Sequence, residues 1–276
     1  MDYTEVTVTC PESHRDIFVA ELAELGFESF VETETGVQAY IQDTQYDAEA
    51  LQELMAGYAD AQPTYTVKSI PQQNWNAEWE KNYEPIRVED QVLVRANFHP
   101  ADDTVPYEIE INPKMSFGTG HHSTTYLMLK HMLKLPIAGT RLYDVGTGTG
   151  ILAIMACKMG ATEVEANDVE DWTVENCAEN CALNGCDQVK VHLGPLAELD
   201  PQGPYDIMLA NINRNVLLDE IGLYSQLLKA GGHLLLSGFY EADVPMLSEA
   251  AAAVGLEVQG QDVRQEWTCL HLIKNA

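Results

Sequence analysis

Thr140-Arg141-Leu142-Tyr143-Asp144-Val145-Gly146-Thr147-Gly148-Thr149-Gly150-Ile151-Leu152-Ala153-Ile154-Met155-Ala156 reads as a short strand, a tight glycine turn and then an apolar helix, the opening of a βαβ unit. Glycines at 146, 148 and 150 permit positive φ and remove the Cβ atoms that would hold a flat ligand away from the backbone. The helix starting near Gly150 aims its free N–H groups and the positive end of its dipole at the same place. A strand over residues 162–167 follows and ends in Asp168, where a carboxylate can accept hydrogen bonds from both hydroxyls of a ribose. The plainer reading is a glycine turn that only joins strand to helix. An acid on each side of the turn, Asp144 and Asp168, favours a nucleotide-like cofactor instead.

Spacing separates the candidate cofactors. A dinucleotide site of the form G-x-G-x-x-G needs a third glycine at 151, where this chain has Ile151, and the run is Asp-x-Gly-x-Gly-x-Gly. That pattern favours S-adenosyl-L-methionine. This cofactor has no pyrophosphate to cradle, only a carboxylate suited to a helix N-terminus and an adenosine that needs close backbone approach. Residues 206–213 are apolar, follow the turn Gly203-Pro204-Tyr205 and end in an amide, so Asn211 is expected at the carboxyl edge of a parallel sheet, where open α/β folds bind ligands. The sequence there, Asn211-Ile212-Asn213-Arg214, lacks the prolines and aromatic of Asn-Pro-Pro-Tyr, which argues against an adenine or glutamine-amide substrate. A helix over 215–229, a strand over 231–238 and a terminal pair over 256–263 and 268–273 complete the order of a Rossmann-like, seven-stranded α/β methyltransferase sheet.

Before this body the chain is different in character. Its 276 residues carry 15 Lys and Arg against 43 Asp and Glu, a net charge of −28, and 14 of the acids but only one base, Arg15, lie within residues 1–60. Such a field repels phosphate backbones and anionic lipid, so neither nucleic acid nor membrane is an expected partner, while a basic macromolecule is a plausible one. An acidic face that merely keeps the protein soluble is the competing reading. Residues 3–9, 13–25, a pair of strands about Thr35-Gly36, 47–57 and 64–69 read as strand, helix, strand, strand, helix, strand, the α+β order of a ferredoxin-like domain. We place this domain at 1–70, a helical linker at 71–86 containing Trp75 and Trp79 on one face, and the larger domain at 87–276. Residues 91–98 and 107–111 are expected to form a hairpin at its entry. No leader and no long apolar run is visible, so the expectation is a cytoplasmic monomer with reduced thiols.

One further segment narrows the reading: Asn112-Pro113-Lys114-Met115-Ser116-Phe117-Gly118-Thr119-Gly120-His121-His122-Ser123-Thr124-Thr125. Together with Trp75-Asn76-Ala77-Glu78-Trp79, the glycine motif, Asn211 and Gln265-Glu266-Trp267, it makes the whole chain resemble the ribosomal protein L11 methyltransferases, the PrmA type. The resemblance implies a class I methyltransferase domain preceded by a domain that recognises the ribosomal protein, and trimethylation of lysine ε-amines and of the α-amine. It further implies cofactor contacts from Thr125, Gly146, Asp168 and Asn211, with Phe117 lying over the cofactor; Asp144 and Gly148 join them through the glycine turn. In that family the strand after the glycine helix is apolar. Here Glu165 and Asn167 interrupt it, so either looser strand packing or a strand with an exposed face is expected.

Methyl transfer from a sulfonium mainly requires that the amine lone pair be held on the methyl carbon and water kept out. A lysine must be neutral to attack, which partial burial promotes. Asn211 is the candidate catalytic residue, orienting the amine by its side-chain carbonyl; shaping the cofactor pocket is the equal alternative. Phe117 could favour cationic groups by cation–π attraction or simply pack. His121-His122 diverge and lack a third ligand, and Cys177, Cys181 and Cys186 lack a matching set, so no metal is expected. Methylation of a different protein or of a small molecule, nicotinamide-dependent reduction, and a non-catalytic docking role stay as alternatives.

Overall fold

A computed structural model describes residues 3–70, 84–112 and 120–276. The chain divides into two compact units, residues 1–82 and 83–276. Trp75, Trp79 and Phe117 lie outside the described residues.

The first unit has the expected element order: β1 (Tyr3–Thr9), α1 (Arg15–Glu24), β2 (Ser29–Thr33), β3 (Gly36–Gln42), α2 (Ala48–Gly57) and β4 (Thr64–Ile70). The sheet order β2-β3-β1-β4, with every pairing antiparallel, is that of a ferredoxin-like fold. Alternation on β1 turns Val6 and Val8 inward, where they meet Phe18 and Leu22 of α1 and Leu51 and Met55 of α2. Asp47 starts α2 by accepting from the amides of Glu49 and Ala50 at 2.9 and 3.1 Å.

The second unit opens with β5 (Ile86–Val88), β6 (Val92–Arg95) and β7 (Tyr107–Glu110). Here the expected hairpin is corrected: β6 and β7 run parallel, and the antiparallel partner of β6 is the short β5. Glu89 and Asp90, both at positive φ, make the β5–β6 turn. Residues 96–106 carry the chain back to the start of the next strand, as a parallel neighbour requires. Arg95 locks the arrangement, reaching Glu108 at 2.8 Å and Glu110 at 2.7 Å.

After α3 (Ser123–Met132) come β8 (Arg141–Val145), α4 (Ile151–Lys158), β9 (Glu163–Asp168), α5 (Asp171–Leu183), β10 (Lys190–Leu193), the single turn α6 (Leu196–Leu199), β11 (Tyr205–Asn211), α7 (Arg214–Leu227) and β12 (Leu228–Tyr240). The chain ends with α8 (Val244–Ala253), β13 (Leu256–Arg264) and β14 (Trp267–Lys274). The seven-stranded sheet runs β10-β9-β8-β11-β12-β14-β13, parallel except for β14, which is antiparallel to both neighbours. Residues of α3, α4 and α5 pack with Leu142, Val164 and Leu209 on one face, those of α7 and α8 with Tyr143, Met208 and Leu236 on the other. Burial on both faces explains why a central strand such as β11 reads as a near-continuous apolar run. The strand order reverses between β8 and β11, which opens a crevice at their carboxyl ends.

Glu165 and Asn167 do not loosen β9. Glu165 accepts from the Tyr205 hydroxyl at 3.0 Å and lies 3.5 Å from Arg141 and 3.4 Å from His192. The Asn167 amide nitrogen donates to the Gly194 carbonyl at 2.9 Å. Partners at these distances tie the strand to its neighbours where aliphatic packing would otherwise do so.

Candidate active site

The crevice holds a cavity of about 690 Å³ whose walls include Gly146, Gly148, Asp168 and Asn211, brought together from the ends of β8, β9 and β11. Val145, Leu196 and Ile212 give it apolar walls, and the exposed side chains of Val169, Trp172 and Val216 rim it. A cavity of this size and lining suits a cofactor-sized molecule with a few fixed polar contacts.

The glycine turn needs its glycines for two reasons. Gly146 has φ +66°, and a Cβ there would stand 2.3 Å from Ile212 Cγ2 on the far wall. Gly150, φ +85°, begins α4, and a Cβ there would meet the Cys177 sulfur at 2.6 Å. The turn is held from below by Asp144, 1% exposed, whose Oδ2 accepts from the Thr147 hydroxyl at 2.6 Å. Burial pushes the Asp144 carboxyl up to about 7, with the Thr147 hydroxyl and the Ala153 amide pulling the other way. From the side, Asp168 accepts from the Gly148 amide at 3.0 Å and from the Glu170 amide at 3.2 Å, and it lines the cavity.

Asn211 closes β11 on the opposite side of the crevice. Its Nδ2 reaches Thr125 Oγ1 at 3.5 Å, while its Oδ1 is buried and has no hydrogen-bond partner among the described residues. Thr125 is fully buried behind Asn211, and it is its neighbour Thr124 that lines the cavity.

Two wall residues carried no assigned role in the sequence reading. His122 caps α3, its Nδ1 accepting from the Thr124 amide at 3.3 Å, and burial holds its ionisation below the usual imidazole range. Its ring meets Trp267 edge-on at 4.6 Å, and Trp267 in turn lies 4.3 Å from the Tyr240 ring. Ser123 donates to Gln265 at 2.7 Å, so the start of α3 and the β13–β14 turn form one wall. Motif membership of Gln265-Glu266-Trp267 was the one available signal. Cys177, Cys181 and Cys186 are buried in the core, and among the described residues no three ligand-type side chains converge as a metal site.

The residues present fit S-adenosyl-L-methionine: glycines where a Cβ would fill the cradle, a carboxylate beside the turn, and an unpartnered buried amide oxygen across from it. Fold and site together define a Rossmann-like methyltransferase. A family model described as ribosomal protein L11 methyltransferase (PrmA) matches residues 2–275. The chain is 46% identical over 263 residues to the ribosomal protein L11 methyltransferase of Porphyromonas gingivalis, covering 94% of this chain and 90% of that one. It is 41% identical to the protein of the same name from Phocaeicola vulgatus, with 99% of each covered. Among solved structures it resembles the ribosomal protein L11 methylase of Lactobacillus delbrueckii subsp. bulgaricus, with a TM-score of 0.64 and 28% identity, covering 70% of this chain and all of that one. The chain belongs to the ribosomal protein L11 methyltransferase (PrmA) family.

Proposed function

We propose that this chain is an S-adenosyl-L-methionine-dependent protein N-methyltransferase that modifies lysine side-chain amines, and the N-terminal amine, of ribosomal protein L11. The observation that carries this is the coincidence of family membership over residues 2–275 with a single cavity on which Gly146, Gly148, Asp168 and Asn211 converge. When bound, the cofactor supplies an electrophilic methyl group on a sulfonium.

The protein's own residues then have distinct tasks. Gly146 and Gly148 let the backbone approach the ligand, and Asp168 accepts from ribose hydroxyls. Asp144 holds the turn from beneath, and Thr125 holds Asn211. Asn211 is the catalytic residue: its buried Oδ1 lacks a donor and is satisfied by an amine N–H. An amide oxygen suits this task better than a carboxylate. It orients the amine without the full negative charge that would hold it protonated, while the apolar walls disfavour the ammonium form. Those walls also exclude water.

Residues 1–70 recognise the substrate, 71–86 link the two bodies and 87–276 carry the chemistry. A net charge of −28 supports recognition of a basic protein and disfavours direct nucleic-acid contact; the reading is completed by a cytoplasmic monomer. Among the described residues no helix is long and apolar enough to cross a membrane. Transfer of label from methyl-tritiated cofactor tests the reading. Label in L11 and none in free lysine or short unrelated peptides is expected; label in small amines alone moves the small-molecule reading ahead.

A further inference from the structure

Three asparagines four residues apart, Asn176 and Asn180 on α5 and Asn184 just past its end, share one face of the helix and have no part in the tasks above. Asn176 and Asn180 are fully buried, and buried amides are kept for the bonds they make. All three turn toward the end of β7, whose outer edge pairs with no strand among the described residues. Asn184 accepts from the Glu110 amide at 2.9 Å and donates to the Glu110 carbonyl at 2.7 Å. Ile111 turns the other way, its N–H donating to the Arg95 carbonyl at 2.8 Å. Asn112 faces the helix again: Asn180 Oδ1 accepts from its N–H at 2.8 Å, and Asn176 Nδ2 donates to its carbonyl at 3.4 Å. Side-chain amides thus stand in for a neighbouring strand.

Asn180 has a second bond that its two neighbours lack. Its Nδ2 donates to the Thr149 carbonyl at 2.8 Å, inside the glycine turn. The peptide joining Thr149 to Gly150 is a soft point of that turn. Gly150 sits at φ +85°, and beside a residue without a Cβ a peptide plane rotates at little cost. A bond at each end holds this one: Asn180 takes the carbonyl, and the Gly150 N–H donates to the Thr147 carbonyl at 3.0 Å. The plane so fixed sets how Gly148, on the cavity wall and held by Asp168, is joined to the first turn of α4.

We propose that Asn180 is a positioning residue for cofactor binding, which locks the Thr149–Gly150 peptide and ties it to Asn112, while Asn184 has only a structural task. The proposal rests on the cofactor reading above. It concerns the cavity before any ligand arrives: the amide holds the turn ready, so that binding does not have to order it.

The test is calorimetric binding of S-adenosylhomocysteine to the full chain and to its Asn180→Leu and Asn184→Leu variants, beside urea unfolding of each. Leucine is close to asparagine in size, and each substitution leaves two backbone groups without their partners, so both variants should unfold at lower urea. Only Asn180→Leu should weaken binding, roughly tenfold, with Asn184→Leu within about threefold of the wild type. Affinity that falls equally in both variants, or in neither, is what a purely structural role predicts and overturns the assignment. Amide hydrogen exchange in the wild type needs no variant. The Gly150 N–H should be protected in the ligand-free protein nearly as well as that of Ile154, which bonds the Gly150 carbonyl at 2.8 Å. A Gly150 amide that exchanges freely until S-adenosylhomocysteine is added shows that the ligand sets the peptide plane, and this too overturns the assignment. A wild type that does not bind S-adenosylhomocysteine sinks the cofactor reading and this assignment with it.

Discussion

Asp144→Asn separates the electrostatics of the glycine turn from its packing. The Asp144 carboxyl has an ordinary value of 3.8 and is raised to about 7 in the fold, chiefly by burial. The folded state therefore binds a proton more tightly than the unfolded chain. The stability this contributes is complete below 3.8 and is lost as pH rises through 7. At about 1.4 kcal/mol per unit, the wild type should lose about 2 kcal/mol from this group alone between roughly pH 5.5 and 8.5. Asparagine keeps an acceptor for the Thr147 hydroxyl but has no charge to bury. Any cost of its own buried N–H is the same at both pH values, and titration elsewhere in the chain cancels in the comparison. Urea unfolding of both proteins at the two pH values gives the difference: the variant should gain about 2 kcal/mol on the wild type as pH is raised. A gap that stays constant, or that moves in favour of the wild type at high pH, would refute the argument that burial dominates at Asp144.

Three other substitutions probe separate parts of the account. Gly146→Ala places a Cβ at positive φ and 2.3 Å from Ile212 Cγ2, so cofactor affinity should fall roughly tenfold or more by calorimetry, with about 1 kcal/mol lost from folding. Asn211→Ala should lower kcat on the order of 100-fold while changing cofactor affinity far less, because it removes the group that orients the amine; steady-state kinetics against binding distinguishes the two. Arg95→Met leaves Glu108 and Glu110 without their shared partner and should cost about 2 kcal/mol in urea unfolding, since both acids are only half-buried.

The parts of the fold that sequence made visible are those with local signals. Asp144-x-Gly-x-Gly-x-Gly announces strand, turn and helix within one stretch, and strands buried on both faces stand out as apolar runs. The β6–β7 pairing was not visible, because alternation marks a strand without saying whether its neighbour runs parallel or antiparallel. The β5–β6 turn at Glu89-Asp90 also lacks the Asn-Gly or Asp-Gly signature of a hairpin. Polar residues on β9 suggested a loosened strand because their partners, Tyr205, His192 and Gly194, come from elements later in the chain. The same distance hid the His122–Trp267–Tyr240 wall, whose members meet only after β14 has paired with β12. On α3, motif matching pointed to Thr125, while the helix turns that side chain toward Asn211 and gives the cavity Thr124.

Intact-mass analysis of unmethylated ribosomal protein L11 incubated with the full chain and S-adenosyl-L-methionine, beside an Asp168→Ala control, shows whether L11 is the methyl acceptor. Mass additions in multiples of one methyl group are expected, mapped by fragmentation to lysine and N-terminal amines and absent from the control. Unchanged L11 mass, with cofactor binding demonstrated in the same preparation, would contradict that role.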